Sequence, residues 1–127
     1  MGKVRPSDVP GLWLKGDRAF RRILGNGRRA SDARLTVLIE DNGSSRSRLG
    51  IRVGRQVGKA VFRTRVRRRL REAFRRNLDR IPAGIDIVCI VRPGWNCAYA
   101  DLAASLISLT VKAARRSRRM PRPYRPR

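Results

Sequence analysis

Arginine is the residue type in this sequence with the greatest capacity for chemistry, and it is concentrated in one stretch. Residues 63–76 carry eight arginines and a single glutamate. A guanidinium group forms paired hydrogen bonds to phosphate and stacks on nucleobases. Like charges held together on one rigid element repel each other until a phosphate array neutralises them. The cluster therefore predicts binding to structured RNA through its backbone and its shape.

A second interpretation of these arginines stays open at this point. Of the 32 basic residues, 28 are arginine, which is also what an arginine-favouring genome would produce. The cluster would then be a solvated face without a ligand. Compositional bias would account for the excess of arginine over lysine, but it does not explain why eight arginines share one short element. Binding to RNA is therefore the favoured hypothesis.

Few residues are available for catalysis by the polypeptide itself. The sequence has no histidine, only 9 acidic residues, and no carboxylate between Asp41 and Glu72. This composition excludes Ser-His-Asp and Cys-His catalysis and disfavours a carboxylate-bound magnesium ion. Cys89 and Cys97 are too few for a disulfide framework, and Cys89 lies in an apolar run that is typical of a core. We expect neither a catalytic residue nor a bound metal.

Length and charge limit the class of protein. The chain has 127 residues, 41% of them apolar, and a net charge of +23, so we expect one folded domain that binds a polyanion. We predict a flexible leader over residues 1–11, a single domain over 12–114 and a basic disordered tail over 115–127. No apolar run approaches the roughly 20 residues of a membrane helix, and the amino terminus lacks a signal-peptide core. We therefore expect a cytoplasmic protein without a membrane partner.

The elements that would position the arginines follow from the spacing of apolar residues. Residues 59–76 predict an amphipathic helix, whose apolar arc contains Phe62, Val66, Leu70, Ala73, Phe74 and Leu78. Residues 34–40 and 48–55 predict two strands that pair as a hairpin across a turn at 41–47. The apolar run 85–91 predicts a central strand. Residues 16–24 and 99–114 predict two further helices.

This order of elements predicts an α+β fold in which the helices cover one face of a small sheet. The uncovered face would present Arg52 and its neighbours, so it is a candidate groove for a ligand. Three functions remain compatible with these features. They are an RNA-binding accessory subunit, a small ribosomal protein whose tail threads into ribosomal RNA, and a nuclease that acts without RNA.

Residues 58–74, GKAVFRTRVRRRLREAF, resemble the signature of the bacterial ribonuclease P protein component. That signature is Arg-Asn-Arg followed by a hydrophobic residue, Lys-Arg, two further residues and Arg. Arg67 stands in the place of its lysine, and Thr64 in the place of its asparagine. The other signature positions match directly: Arg63, Arg65, Arg68 and Arg71. Weaker similarity to the family extends over residues 14–24, 48–61 and 85–94.

The resemblance implies a specific fold. It is a single-domain α/β sandwich with a four-stranded sheet and three helices, similar to the second domain of a small-subunit ribosomal protein. The signature helix would make a left-handed crossover between parallel strands, against the usual right-handed rule.

The resemblance also implies a function. The protein would bind the catalytic RNA of ribonuclease P and the 5′ leader of precursor tRNA, and so assist endonucleolytic removal of that leader. Catalysis would reside in the RNA, and the magnesium that the ribonucleoprotein requires would be bound mainly by RNA and not by this chain. No obligate protein partner is implied.

Two groups of residues acquire roles from the resemblance. The residues implied to contact RNA are Arg55, Lys59, Arg63, Thr64, Arg65, Arg67, Arg68 and Arg71. The cleft implied to bind the leader, between the first helix and the open sheet face, contains Phe20, Leu38 and Arg52. Leu24 and Leu38 stand where related proteins often carry aromatic residues. Stacking of a base on an aromatic side chain contributes about 1–3 kcal/mol, so we expect weaker base stacking in this chain. The spacing of Phe20 with Ala19, Ile23 and Leu24 also fits a core aromatic.

Overall fold

Four strands and three helices make up the chain between residues 11 and 116, which the computed structural model describes. The helices are α1 (Asp17–Asn26), α2 (Ala60–Arg76) and α3 (Tyr99–Arg115). The strands are β1 (Arg28–Ser31), β2 (Leu35–Asp41), β3 (Arg48–Arg52) and β4 (Ile85–Val91). Short 3-10 turns precede and follow α2 at Arg55–Val57 and Leu78–Arg80. Most of the expected leader and tail, residues 1–10 and 117–127, lies outside the described residues.

The strands form one mixed sheet in the order β1-β2-β4-β3. Strand β4 is antiparallel to β2 and parallel to β3, so α2 lies in the crossover between two adjacent parallel strands. The predicted central position of β4 is confirmed. The predicted hairpin is wrong, because β2 and β3 both pair with β4 and not with each other. The turn between them instead crosses the start of β4, where Asn42 N donates to Gly84 O at 3.0 Å and Ser47 Oγ donates to Pro82 O at 2.6 Å.

Strand β1 is absent from the sequence-based prediction. Its four residues, RRAS, contain one apolar side chain, Ala30, which is also the only buried one. This strand lies at an edge of the sheet, so β2 is its only neighbouring strand. The two strands pair in antiparallel register, from Arg28 opposite Ile39 to Ser31 opposite Thr36. No periodicity over so short a segment indicates a strand.

Both faces of the sheet carry a core. Helices α2 and α3 pack on one face, over a cluster that includes Leu35, Val37, Ile87 and Cys89. Helix α1 packs on the other face, where Leu14, Ile23, Leu38 and Val88 form a second cluster. The prediction that all helices cover one face is therefore wrong. Strands β2 and β4 are apolar on both sides, and their second face needs an apolar cover that α1 supplies.

The amphipathic helix is confirmed over most of its length. Val66, Leu70, Ala73 and Phe74 are fully buried on the side of α2 that faces the sheet and α3. Leu78 differs from the prediction: it lies beyond the end of α2 in the Leu78–Arg80 turn, and it is 40% exposed. Helical spacing placed it on the apolar arc only for a helix that continues past Arg76.

A buried carboxylate joins the ends of three strands. Asp86 is completely buried. Arg48 donates to its two oxygens from Nε and Nη2 at 2.8 and 2.7 Å, and Asn42 Nδ2 donates at 2.9 Å. Burial raises the pKa of the Asp86 carboxyl, but hydrogen bonds from Arg48 and Asn42, with the charges of Arg48 and Arg22, bring that pKa below its usual value. Asp86 therefore holds a charge in the sheet at neutral pH.

Removal of the paired guanidinium should destabilise the fold. We expect Arg48→Met to lower the free energy of unfolding at pH 7 by about 2–3 kcal/mol, because it leaves a buried charge without its main partner. Arg22 lies 3.6 Å from Asp86 with a side chain that is 48% exposed, so Arg22→Met should cost less than about 1 kcal/mol. Urea unfolding of the two variants measures the difference.

The loss of stability caused by Arg48→Met should depend on pH. Because the pKa of Asp86 is lowered in the fold, its stabilisation is complete above the ordinary carboxyl pKa of about 4 and is lost as the pH falls through the lowered value. The difference in free energy of unfolding between the unsubstituted chain and Arg48→Met should therefore narrow as the pH falls below about 4. An unchanged gap at low pH, or equal costs for the two variants at pH 7, would contradict this account of Asp86.

Candidate nucleic-acid interface

Helix α2 follows the edge strand β3 after a short connection. The chain leaves Arg52, passes through the Arg55–Val57 turn and enters the helix at Ala60, with Lys59 as the N-cap residue. Arg63 N donates to Lys59 O at 2.9 Å, and Arg63 Nε donates to Gly58 O at 3.2 Å. The first turn of α2 is therefore fixed to the segment before it, and the basic residues of both segments lie together.

The eight residues predicted to contact RNA all lie on this turn and on the first three turns of α2. We call them the basic face: Arg55, Lys59, Arg63, Thr64, Arg65, Arg67, Arg68 and Arg71. None of them is buried. Arg65 and Arg68 are exposed, whereas Arg63, Arg67 and Arg71 are half-buried along the border of the apolar side. The fold thus brings together the residues that the signature selects.

The basic face has no acidic partner among residues 11–116. The ion pairs of this part of the chain join other arginines to Glu40, Asp41, Glu72, Asp86 and Asp101. For Arg65, Arg67 and Arg68 the described residues provide neither an ion pair nor a hydrogen-bond acceptor for the side chain. Closely spaced cations without counter-charges create a strongly positive local potential, and a phosphate backbone lowers its energy.

Three of the eight arginines in residues 63–76 lie outside the basic face and donate to oxygen atoms elsewhere in the protein. Arg69 Nη1 donates to the backbone oxygen of Cys97 at 2.9 Å. Arg75 Nη2 and Arg76 Nε donate to Glu72 Oε1 at 2.7 and 2.5 Å. The cluster that looks uniform in the sequence is therefore divided into an amino-terminal part without a carboxylate partner among the described residues and a carboxyl-terminal part that is paired with Glu72. The spacing of Glu72 from Arg75 and Arg76 is the sequence signal for this division.

Trp13 is a contributor to this surface that sequence analysis missed. The guanidinium carbon of Arg71 lies 5.8 Å from the centre of the Trp13 ring. That ring lies 6.0 Å from the ring of Phe74, and Trp13 bridges to Leu49 of β3. A cation over an aromatic face is attracted by the quadrupole of the ring. Trp13 therefore orients Arg71 at the border of the basic face.

The residues predicted to line a leader cleft are not equivalent. The Arg52 guanidinium carbon lies 5.5 Å from the centre of the half-buried Phe20 ring, so these two residues form a stacked pair between α1 and β3. The ring packs so closely on Gly50 that a Cβ atom there would overlap it. Leu38 is only 5% exposed and belongs to the core beneath α1. Phe20 and Arg52 are thus accessible together, and Leu38 is not.

The described residues contain no group of three or more His, Cys, Asp or Glu side chains that could hold a metal ion. The two thiols are fully buried. Burial raises the pKa of Cys89, and it raises that of Cys97 against the lowering effect of Arg69. Neither cysteine is therefore an activated nucleophile. None of the helices between residues 11 and 116 is long and apolar enough to span a membrane.

Comparison with known families and sequences gives one consistent result. A model of the ribonuclease P family matches residues 12–114. The ribonuclease P protein component of Clostridioides difficile (strain 630) is 45% identical over 98 residues, which cover 76% of this chain and 86% of that protein. The component from Clostridium botulinum (strain Loch Maree / Type A3) is 36% identical over 102 residues, which cover 79% of this chain and 92% of that protein.

Solved structures show the same similarity. The ribonuclease P protein from Thermotoga maritima aligns with a TM-score of 0.71 and 34% identity, over 79% of this chain and 96% of that protein. The ribonuclease P protein from Staphylococcus aureus aligns with a TM-score of 0.71 and 28% identity, over 83% of this chain and 96% of that protein. The α+β sheet with three helices is therefore shared with these proteins.

Gly50→Ala tests the packing of the Phe20 and Arg52 pair. The new methyl group should displace the Phe20 ring and lower the free energy of unfolding by about 1–3 kcal/mol. Gly25→Ala is the matched control because a Cβ atom there meets nothing within 4 Å inside α1. It should stabilise the chain by about 0.5–1 kcal/mol. Urea unfolding and the ring resonances of Phe20 measure both effects, and unchanged Phe20 resonances in Gly50→Ala would refute the contact.

Proposed function

This chain belongs to the ribonuclease P protein family, and we propose that it binds the RNA subunit of ribonuclease P through its basic face. Membership makes it the protein component of an endoribonuclease that processes tRNA. The observation that carries the proposal is the set of solvent-accessible arginines on α2, of which Arg65, Arg67 and Arg68 have no side-chain partner between residues 11 and 116. Guanidinium groups held on a helix suit a structured RNA backbone because both arrays are rigid.

The leader of precursor tRNA is the ligand that we propose for the neighbouring pair. Arg52 lies over one side of the Phe20 ring, so its guanidinium plane is available to a base or a phosphate on its outer side. Leu38 contributes the apolar floor beneath α1 and does not itself touch the leader. In this proposal charge supplies more of the leader affinity than aromatic stacking does.

The RNA subunit is the catalyst in this proposal, and it binds the magnesium that the reaction needs. The donor set of the chain supports this division of labour. The sequence has no histidine, and Glu40, Glu72 and Asp86 are each paired with arginine. The protein contributes positive charge, which lowers the repulsion between closely packed phosphates and so reduces the magnesium concentration that the complex requires.

Reconstitution with a transcribed ribonuclease P RNA tests the proposal. At low magnesium the chain should stimulate removal of the 5′ leader from labelled precursor tRNA, and the chain without RNA should cleave nothing. Arg65→Gln combined with Arg68→Gln should weaken RNA binding and reduce the slope of log affinity against log salt by about 2, because two phosphate contacts are lost.

The matched control changes the same charge elsewhere. Lys112 and Arg115 are exposed near the end of α3, and Lys112→Gln with Arg115→Gln should leave the slope nearly unchanged. Equal effects of the two double variants would remove the basic face as the interface. Cleavage by the chain alone would indicate a nuclease that needs no RNA, and co-purification with ribosomes without stimulation of tRNA processing would indicate a ribosomal protein.

A further inference from the structure

We propose that Glu72 sets the carboxyl-terminal limit of the RNA-binding surface by holding Arg75 and Arg76 in internal ion pairs. This inference rests on the proposed function and deepens it, because it states which part of the arginine-rich helix engages RNA. The arginines of the basic face on α2 would bind phosphate, whereas the last turn of α2 would not. Glu72 is a positioning residue in this proposal, since it acts on RNA only through its two arginines.

The geometry around Glu72 carries the inference. Its Oε1 accepts from Arg75 Nη2 at 2.7 Å and from Arg76 Nε at 2.5 Å, and its Oε2 accepts from Arg75 Nε at 3.4 Å. Both oxygens are therefore occupied by arginines that follow Glu72 in the sequence. A hydrogen bond from Arg75, opposed by partial burial, and a further one from Arg76 lower the pKa of the Glu72 carboxyl. The carboxylate is thus charged at neutral pH.

The position of Glu72 in α2 separates the arginines that it pairs with from those that precede it. Glu72 is the only acidic residue between Asp41 and Asp79. Arg68 lies one turn before it at a spacing that also permits an ion pair, but in this structure Glu72 pairs with Arg75 and Arg76 instead. Glutamate followed by a cation at i+4 is the more favourable order in a helix. Arg68 therefore keeps its charge available while the last turn is reduced from two unit charges to one.

Ion pairs that only stabilise the helix, without any effect on RNA binding, would show the same contacts. The test therefore needs a measurement that does not change with the stability of the protein. Release of Arg75 and Arg76 would add one or two phosphate contacts, and each contact changes the slope of log affinity against log salt by about 0.9. We therefore expect Glu72→Gln to bind a transcribed ribonuclease P RNA several-fold more tightly at low salt, with a slope steeper by about 1–2.

Asp79→Asn is the matched control. Asp79 is exposed in the Leu78–Arg80 turn, and no ion pair joins it to another described residue. Its substitution raises the net charge by the same one unit, so it should change the slope much less than Glu72→Gln does. In the Glu72→Gln background, Arg75→Gln with Arg76→Gln should cancel the gain in affinity and in slope. This double-mutant comparison separates the local ion pairs from the general rise in charge.

Two results would overturn the inference, and they are distinguishable. If Glu72→Gln and Asp79→Asn have the same slope while Arg65→Gln with Arg68→Gln still weakens binding, Glu72 only stabilises the helix and the proposed function stands. If Arg65→Gln with Arg68→Gln has no effect on RNA binding, the proposed function fails and this inference fails with it.

Discussion

The shortage of carboxylates around α2 is the constraint on which the proposed function of this protein depends. The chain has 32 basic and 9 acidic residues, and five of the eight acids in the described part are paired with arginines, four of them outside α2. Asp86 holds Arg48 in the sheet, and Glu72 holds the last turn of α2. The amino-terminal part of the helix keeps its charges, and only a ligand rich in negative charge can neutralise them.

The fold makes this charge a rigid surface. Val66, Leu70 and Phe74 anchor α2 in the core, so its arginines cannot separate as they would on a flexible tail. Strand β4 supports both sides of the arrangement, because it pairs with β2 and β3 and is apolar on both faces. The basic face and the Phe20 and Arg52 pair then lie at the same edge of the sheet, since β3 carries Arg52 and leads through a short connection into α2.

The sequence was sufficient for features with strong local signals and insufficient for those that depend on distant pairing. Six of the seven regular elements follow from periodicity, and the signature locates the basic face. The sequence does not predict strand β1, because RRAS has only one apolar residue and the strand forms through its pairing with β2. The predicted hairpin is wrong because the turn at 41–47 does not reveal that β4 lies between β2 and β3 in the sheet. The burial of Leu38 and the pairing of Arg75 and Arg76 needed the packing of the whole chain.

Directed cleavage of RNA from a single surface position tests the central claim most directly. Both native cysteines are buried, so an iron chelate can be tethered selectively at Val61→Cys, where Val61 is 74% exposed on α2, or at Ser108→Cys on the outer side of α3. With a transcribed ribonuclease P RNA, hydroxyl radicals generated at position 61 should cut the RNA at a few discrete sites, and those generated at position 108 should cut weakly. Equal cutting from both positions, or none from position 61 in an intact complex, would contradict the claim that the start of α2 docks on the RNA.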